Sequence, residues 1–144
     1  MSKPKVITIN NKQVHVSAGV LVVNDKNQVL LIDRATPPFG LAGIAGHVDE
    51  GESAKVAAIR EVLEEAGLAA KDLKLLKHEL IDWNWCSAGV TGHDWYLYEA
   101  KVTGRPKIQE SEVKSIGWYD LGSLKSSQLE PVWKFWLEKL QLLG

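Results

Sequence analysis

The sequence predicts an α/β fold on three observations. Short β-rich runs separated by Asn-rich turns fill the first third of the chain, a strongly helical segment occupies residues 54–66, and a second helix with one apolar stripe closes the chain. A length of 144 residues with 45% hydrophobic and 24% charged side chains predicts one ordinary domain, spanning 1–144, with a packed core.

Residues 6–9 and 14–16 flank Asn10-Asn11-Lys12-Gln13, and residues 19–23 and 28–32 flank Asn24-Asp25-Lys26-Asn27, which predicts two strand pairs joined by tight turns. Pro37-Pro38 followed by Gly40, Gly43, Gly46 and Gly51 predicts an irregular loop over 35–51. Ser53 is the expected N-cap of the next helix, and Gly67 its left-handed terminator. Strands are expected at 75–81, 95–102 and 113–119, with a loop at 82–92 and a turn at 103–106. At the end, Ser127 and Glu130 read as a capping box, Pro131 suits a first helical turn, and Trp133, Trp136, Leu137, Leu140 and Leu143 form the buried stripe.

The net charge of -1 argues against a nucleic-acid polymer or a membrane surface as partner. The lone cysteine, Cys86, excludes an intrachain disulfide, and the first ten residues lack signal-peptide features, so a cytoplasmic setting is expected. Charge is unevenly spread. Residues 46–68 hold Asp49, Glu50, Glu52, Glu61, Glu64 and Glu65 against Lys55 and Arg60, a local net of -4 that leaves +3 elsewhere.

On a helical wheel stepping about 100° per residue, Val56, Ile59, Val62, Leu63 and Ala66 fall on one side, the expected buried stripe. Glu61, Glu64 and Glu65 share the other, with Ala54, Ala57 and Ala58 upstream, small enough to admit a ligand. Like charges at i, i+4 repel, and the end of a helix favours cations, so this placement is locally unfavourable. A bound divalent cation would turn the repulsion into chelation, and Mg²⁺ suits hard carboxylate oxygens completed by substrate phosphates.

Gly46, then Glu52, then Arg60-Glu61-Val62-Leu63-Glu64-Glu65-Ala66-Gly67-Leu68 resembles the Nudix box, G-x5-E-x7-R-E-U-x-E-E-x-G-U with U apolar, at every defined position. The resemblance implies an α/β/α sandwich around a mixed sheet and hydrolysis of a nucleoside diphosphate linked to another group, assisted by Mg²⁺ or Mn²⁺. It implies that Glu61, Glu64 and Glu65 are metal ligands, completed by a backbone carbonyl at Ala45 or Gly46, and that Glu52 holds Arg60, which orients Glu61. An acidic residue preceding the last strand, Glu112 ahead of Glu110, is a candidate for the metal cluster or the general base. The family often carries W-x-L-P-G-G before the box, where this chain has Leu41-Ala42-Gly43-Ile44-Ala45-Gly46; Ala45 can serve there only with a negative φ.

Substrate signals are thinner. The Pro common in ADP-ribose enzymes and the Tyr of diadenosine polyphosphate enzymes are missing after the box, which leaves a MutT-like (d)NTP pyrophosphohydrolase ahead of a nucleotide-sugar or ADP-ribose enzyme and of a non-catalytic nucleotide-binding module. Trp83, Trp85, Trp95 and Phe39 are candidates to stack on a nucleobase, and His47 to touch phosphate. A small nucleotide is the expected partner, and a homodimer is open.

Overall fold

The computed structural model describes residues 3–83, 92–107 and 113–143. Strand β1 (Val6–Ile9) turns into β2 (Lys12–Val23) through Asn10 and Asn11, whose φ values of 52° and 64° suit a two-residue hairpin that Asn tolerates. The expected strands at 14–16 and 19–23 are therefore one strand. Gly19 does not interrupt it: a Cβ there would come within 2.4 Å of the Trp95 ring, so glycine serves close packing, not a turn.

Strand β2 organises the sheet. One edge carries β1, then β5 (Ile44–His47), then the start of β3 (Gln28–Arg34), all antiparallel; the other pairs in parallel with β7 (His93–Lys101) from His15 to Val23. Beyond β7 lies β6 (Lys71–Ile81), and β3 carries β4 (Gly40–Ala42) and β8 (Val113–Asp120). The sheet is mixed. β6 starts earlier than its apolar pattern suggests because the register shifts near Asp72, which has a φ of 55°, and near Leu75, breaking the alternation.

The region 35–51 is more regular than expected, since it contains β4 and β5. Its glycines mark close approach. A Cβ on Gly43 would meet the Trp133 ring at 2.6 Å, and one on Gly40, at φ 124°, would meet the Glu130 backbone nitrogen at 2.6 Å.

Alternation along β2 divides the core. Val16, Ala18, Val20 and Val22 pack beneath helix α1 (Ala54–Ala66), while Leu21 joins Trp95 and Leu97 beneath helix α2 (Pro131–Lys139) through Trp133, Trp136 and Leu137. One helix on each face makes an α/β/α sandwich. Ser127 lies in a separate short turn, Ser126–Gln128, and Glu130 itself caps α2 by accepting from the Val132 N–H at 2.9 Å. No helix among the described residues is long and apolar enough to cross a membrane.

Candidate active site

Ser53 Oγ accepts the Val56 N–H at 3.1 Å, and Gly67, at φ 69°, donates back to the Leu63 carbonyl, so sequence-coded caps set both ends of α1. Its rotation differs from the wheel. The buried face is Ala57, Ala58, Glu61, Val62 and Ala66, whereas Val56, Ile59 and Leu63 are exposed. Small residues won this competition because they let the helix lie close to the sheet. Ala57 and Ala58 therefore meet the core and are closed to a ligand.

That close approach brings Glu61 over β5. A Cβ on Gly46 would lie 2.2 Å from the Glu61 carboxyl carbon, so only glycine leaves room for this carboxylate. Glu61 is buried, which requires compensation. Arg60 supplies it. Its Nε and Nη2 fork onto the two Glu52 oxygens at 2.8 and 2.9 Å, Nη2 also donates to the His47 carbonyl at 3.0 Å, and Nη1 donates to Glu61 at 2.8 Å and Glu64 at 3.2 Å. Asp49 lies 3.4 Å from Nη2. The Arg60 hydrogen bonds hold the Glu52 carboxyl below the usual carboxylate range, against desolvation that would raise it. The same bonds raise the Arg60 guanidinium further above neutrality.

Glu64 is half exposed at the outer edge of this network, and Glu65 lines a cleft of about 320 Å³ together with Pro37, Pro38, Ala45, His47, His93, Trp95 and Glu130. Ala45 pairs with Gly19 inside β5 and keeps its φ out of the left-handed region, so ordinary extended backbone replaces the glycine of the related pattern.

The aromatic candidates separate. Trp95 is 5% exposed, packed over Gly19 and set edge-on to Trp133 at 6.1 Å, so it belongs to the core while also lining the cleft. Phe39 is exposed beside the cleft-lining prolines, with Lys114 Nζ 5.7 Å above its ring. Trp83 is half exposed and packs edge-on to Phe135 at 5.6 Å. Trp85, Cys86, Glu110 and Glu112 lie outside the described residues.

Two features escaped sequence reasoning. Glu130, expected only as the capping-box partner of Ser127, caps α2 itself and does so from the cleft wall, where burial pushes its carboxyl above the usual range. His15 and His93 meet His47, a grouping visible only once the register of β2, β5 and β7 is known.

The NUDIX domain model matches residues 13–140, nearly the whole chain. This chain belongs to the Nudix hydrolase family. A Bacillus subtilis (strain 168) protein named "Putative 8-oxo-dGTP diphosphatase" is 50% identical over 110 residues, covering 74% of this chain and 67% of that protein. A Rhodococcus erythropolis protein, "Uncharacterized Nudix hydrolase orf19", is 28% identical across 98% of this chain and 82% of its own length. The crystal structure of a MutT Nudix hydrolase from Burkholderia pseudomallei superposes with a TM-score of 0.71 at 29% identity, covering 87% of this chain and 96% of that one. The chain is thus a MutT-like pyrophosphohydrolase of the Nudix family, whose members act on small nucleotides and generally use divalent metals.

The Nudix carboxylates suit such a metal. Glu61 is seated by the bare Gly46 backbone, Glu64 shares its Arg60 nitrogen, and Glu65 opens into the cleft; all offer hard oxygen, the donor Mg²⁺ and Mn²⁺ prefer.

Proposed function

We propose that the chain is a single Nudix domain over 1–144 that hydrolyses (d)NTPs, with oxidised or ordinary purine nucleotides as its substrate class, to a nucleoside monophosphate and pyrophosphate. The observation that carries this reading is the Arg60 network, which fixes Glu61 and Glu64 beside the cleft that Glu65 enters. The half-identical relative named as an 8-oxo-dGTP diphosphatase supports the substrate class.

Glu61, Glu64 and Glu65, with the carbonyls of Ala45 or Gly46, would hold Mg²⁺ or Mn²⁺. When bound, the metal supplies charge neutralisation for the diphosphate and a lowered pKa for the attacking water. Arg60 keeps Glu61 aimed while Glu52 keeps Arg60 in place. Water adds to one phosphorus as the P–O–P bridge breaks, and the two phosphates leave with the water's oxygen on one of them. His47, on the cleft wall, is positioned to meet phosphate, and Glu112 remains the candidate base. Phe39 at the cleft edge and Trp95 in the cleft lining, together with Trp83 and Trp85, are the proposed base-stacking residues. Glu130 adds a carboxylate acceptor between apolar Val132 and Trp133 that would favour a base edge rich in N–H donors. A cytoplasmic location and use of the domain as a homodimer belong to the same proposal.

The test is a Mg²⁺-supplemented panel of 8-oxo-dGTP, dNTPs, NTPs, ADP-ribose, nucleotide sugars and diadenosine polyphosphates, with product identification. Preferential release of pyrophosphate from purine dNTPs is expected. Preference for a nucleotide sugar or ADP-ribose would overturn the substrate assignment.

A further inference from the structure

Strand register places three of the chain's four histidines on one face of the sheet. His15 on β2 is paired with His93 on β7, and Ser17, two residues along β2, is paired with His47 on β5. Residues two apart share a face, so three strands deliver their imidazoles to one place on the α2 side of the sheet. His15 and His93 are buried, and His47 and His93 line the cleft. One donor nitrogen from each lies within 4.8 Å of the other two, and His47 Nε2 is 3.4 Å from His93 Nε2. Nitrogens bound to one tetrahedral ion at about 2.0–2.1 Å stand about 3.3 Å apart, so this pair already has a ligand-pair spacing.

We propose that His15, His47 and His93 form a binding site for one imidazole-preferring divalent transition ion of the Zn²⁺ class, distinct from the carboxylate site for Mg²⁺ or Mn²⁺. Donor chemistry separates the two: imidazole suits Zn²⁺, Ni²⁺ and Cu²⁺, whereas Mg²⁺ takes hard oxygens. Because two of the ligands line the cleft, the ion would border the substrate, with a position of its tetrahedral shell left for water or a substrate oxygen.

The test uses the intact, metal-stripped chain in Mg²⁺-free buffer. Zn²⁺ is titrated by calorimetry, and the histidine ring nitrogens are followed by ¹⁵N NMR. One equivalent should bind with shifts at His15, His47 and His93, while His78, which is hydrogen-bonded to Asp94 at 2.9 Å and stacked on Tyr96, stays still. Either His15→Gln or His93→Gln should weaken binding at least about tenfold, whereas Glu64→Gln should leave it unchanged. The NMR arm needs no substitution, so a misfolded variant leaves the test intact. Absence of Zn²⁺ binding, unmoved resonances of the three histidines, or loss of Zn²⁺ on Glu64→Gln alone would overturn the site.

Discussion

All five N–H donors of the Arg60 guanidinium are used: two on Glu52, one each on Glu61 and Glu64, and one on the His47 carbonyl. A lysine could keep the charge but not the planar fork. Arg60→Lys should therefore lower kcat at least about tenfold while circular dichroism stays native, because misplacing a positioned group is costly without unfolding the helix. Steady-state kinetics on the most active panel nucleotide would show it, and an unchanged kcat would contradict the positioning role. The depressed Glu52 pKa carries a stability consequence. Its contribution is full above the ordinary value of 4.5 and is lost as pH falls through the lower native value, since the unfolded chain then binds the proton first. Thermal melts from neutral to acid pH should fall more steeply in this window for the wild type than for Glu52→Gln; parallel curves would count against the pairing. The Glu52, Arg60 and Glu61 spacing was legible in the sequence, whereas the His47 carbonyl as fifth acceptor was not, because a backbone oxygen has no sequence signature.

At the scale of elements, α1 shows where pattern and packing diverge. Its caps were readable because Ser53 and Gly67 act locally. Its rotation was not, because a wheel ranks Val56, Ile59 and Leu63 above alanine, while the sheet accepts the small face and leaves those three outside. Contact between α1 and β5 rests on Gly46 having no side chain. Gly46→Ala should cost about 1–3 kcal/mol in denaturant unfolding, the range for inserting a methyl into packed space, and should depress activity by displacing Glu61. Wild-type stability with wild-type activity would refute that account of the glycine. Helix α2 begins at a buried carboxylate. Burial raises the Glu130 pKa, so the native state binds its proton more readily than the unfolded chain, and stability is lost as pH rises from about 4.5 through the native value. Glu130→Gln keeps an oxygen for the Val132 N–H without the ionised form, so its stability relative to wild type should grow across that window in pH-resolved denaturation. A difference independent of pH would contradict the assignment.

For the whole molecule, the α/β/α layering followed from strand and helix order and from the Nudix box, yet the active cleft is assembled by register. β2 alone joins β1, β5, β3 and β7, and through them brings residues far apart in sequence to one end of the sheet. Glu65, His47, His93 and the core residue Trp95 line the same cleft for that reason. The uneven charge acquires a location too: much of the -4 of residues 46–68 is gathered around Arg60 and the cleft, where a divalent ion and a polyphosphate would complement each other. The central claim is that these carboxylates hold the metal that drives phosphoanhydride hydrolysis. Its most direct test is the Mg²⁺-dependent turnover of 8-oxo-dGTP and the dNTPs by the wild type beside Glu64→Gln and Glu65→Gln. The account predicts nucleoside monophosphate and pyrophosphate from the wild type, little activity without Mg²⁺ or Mn²⁺, and a fall of at least about a hundredfold in a folded variant. Full activity in Glu64→Gln and Glu65→Gln, or turnover that persists after the metal is chelated, would contradict it.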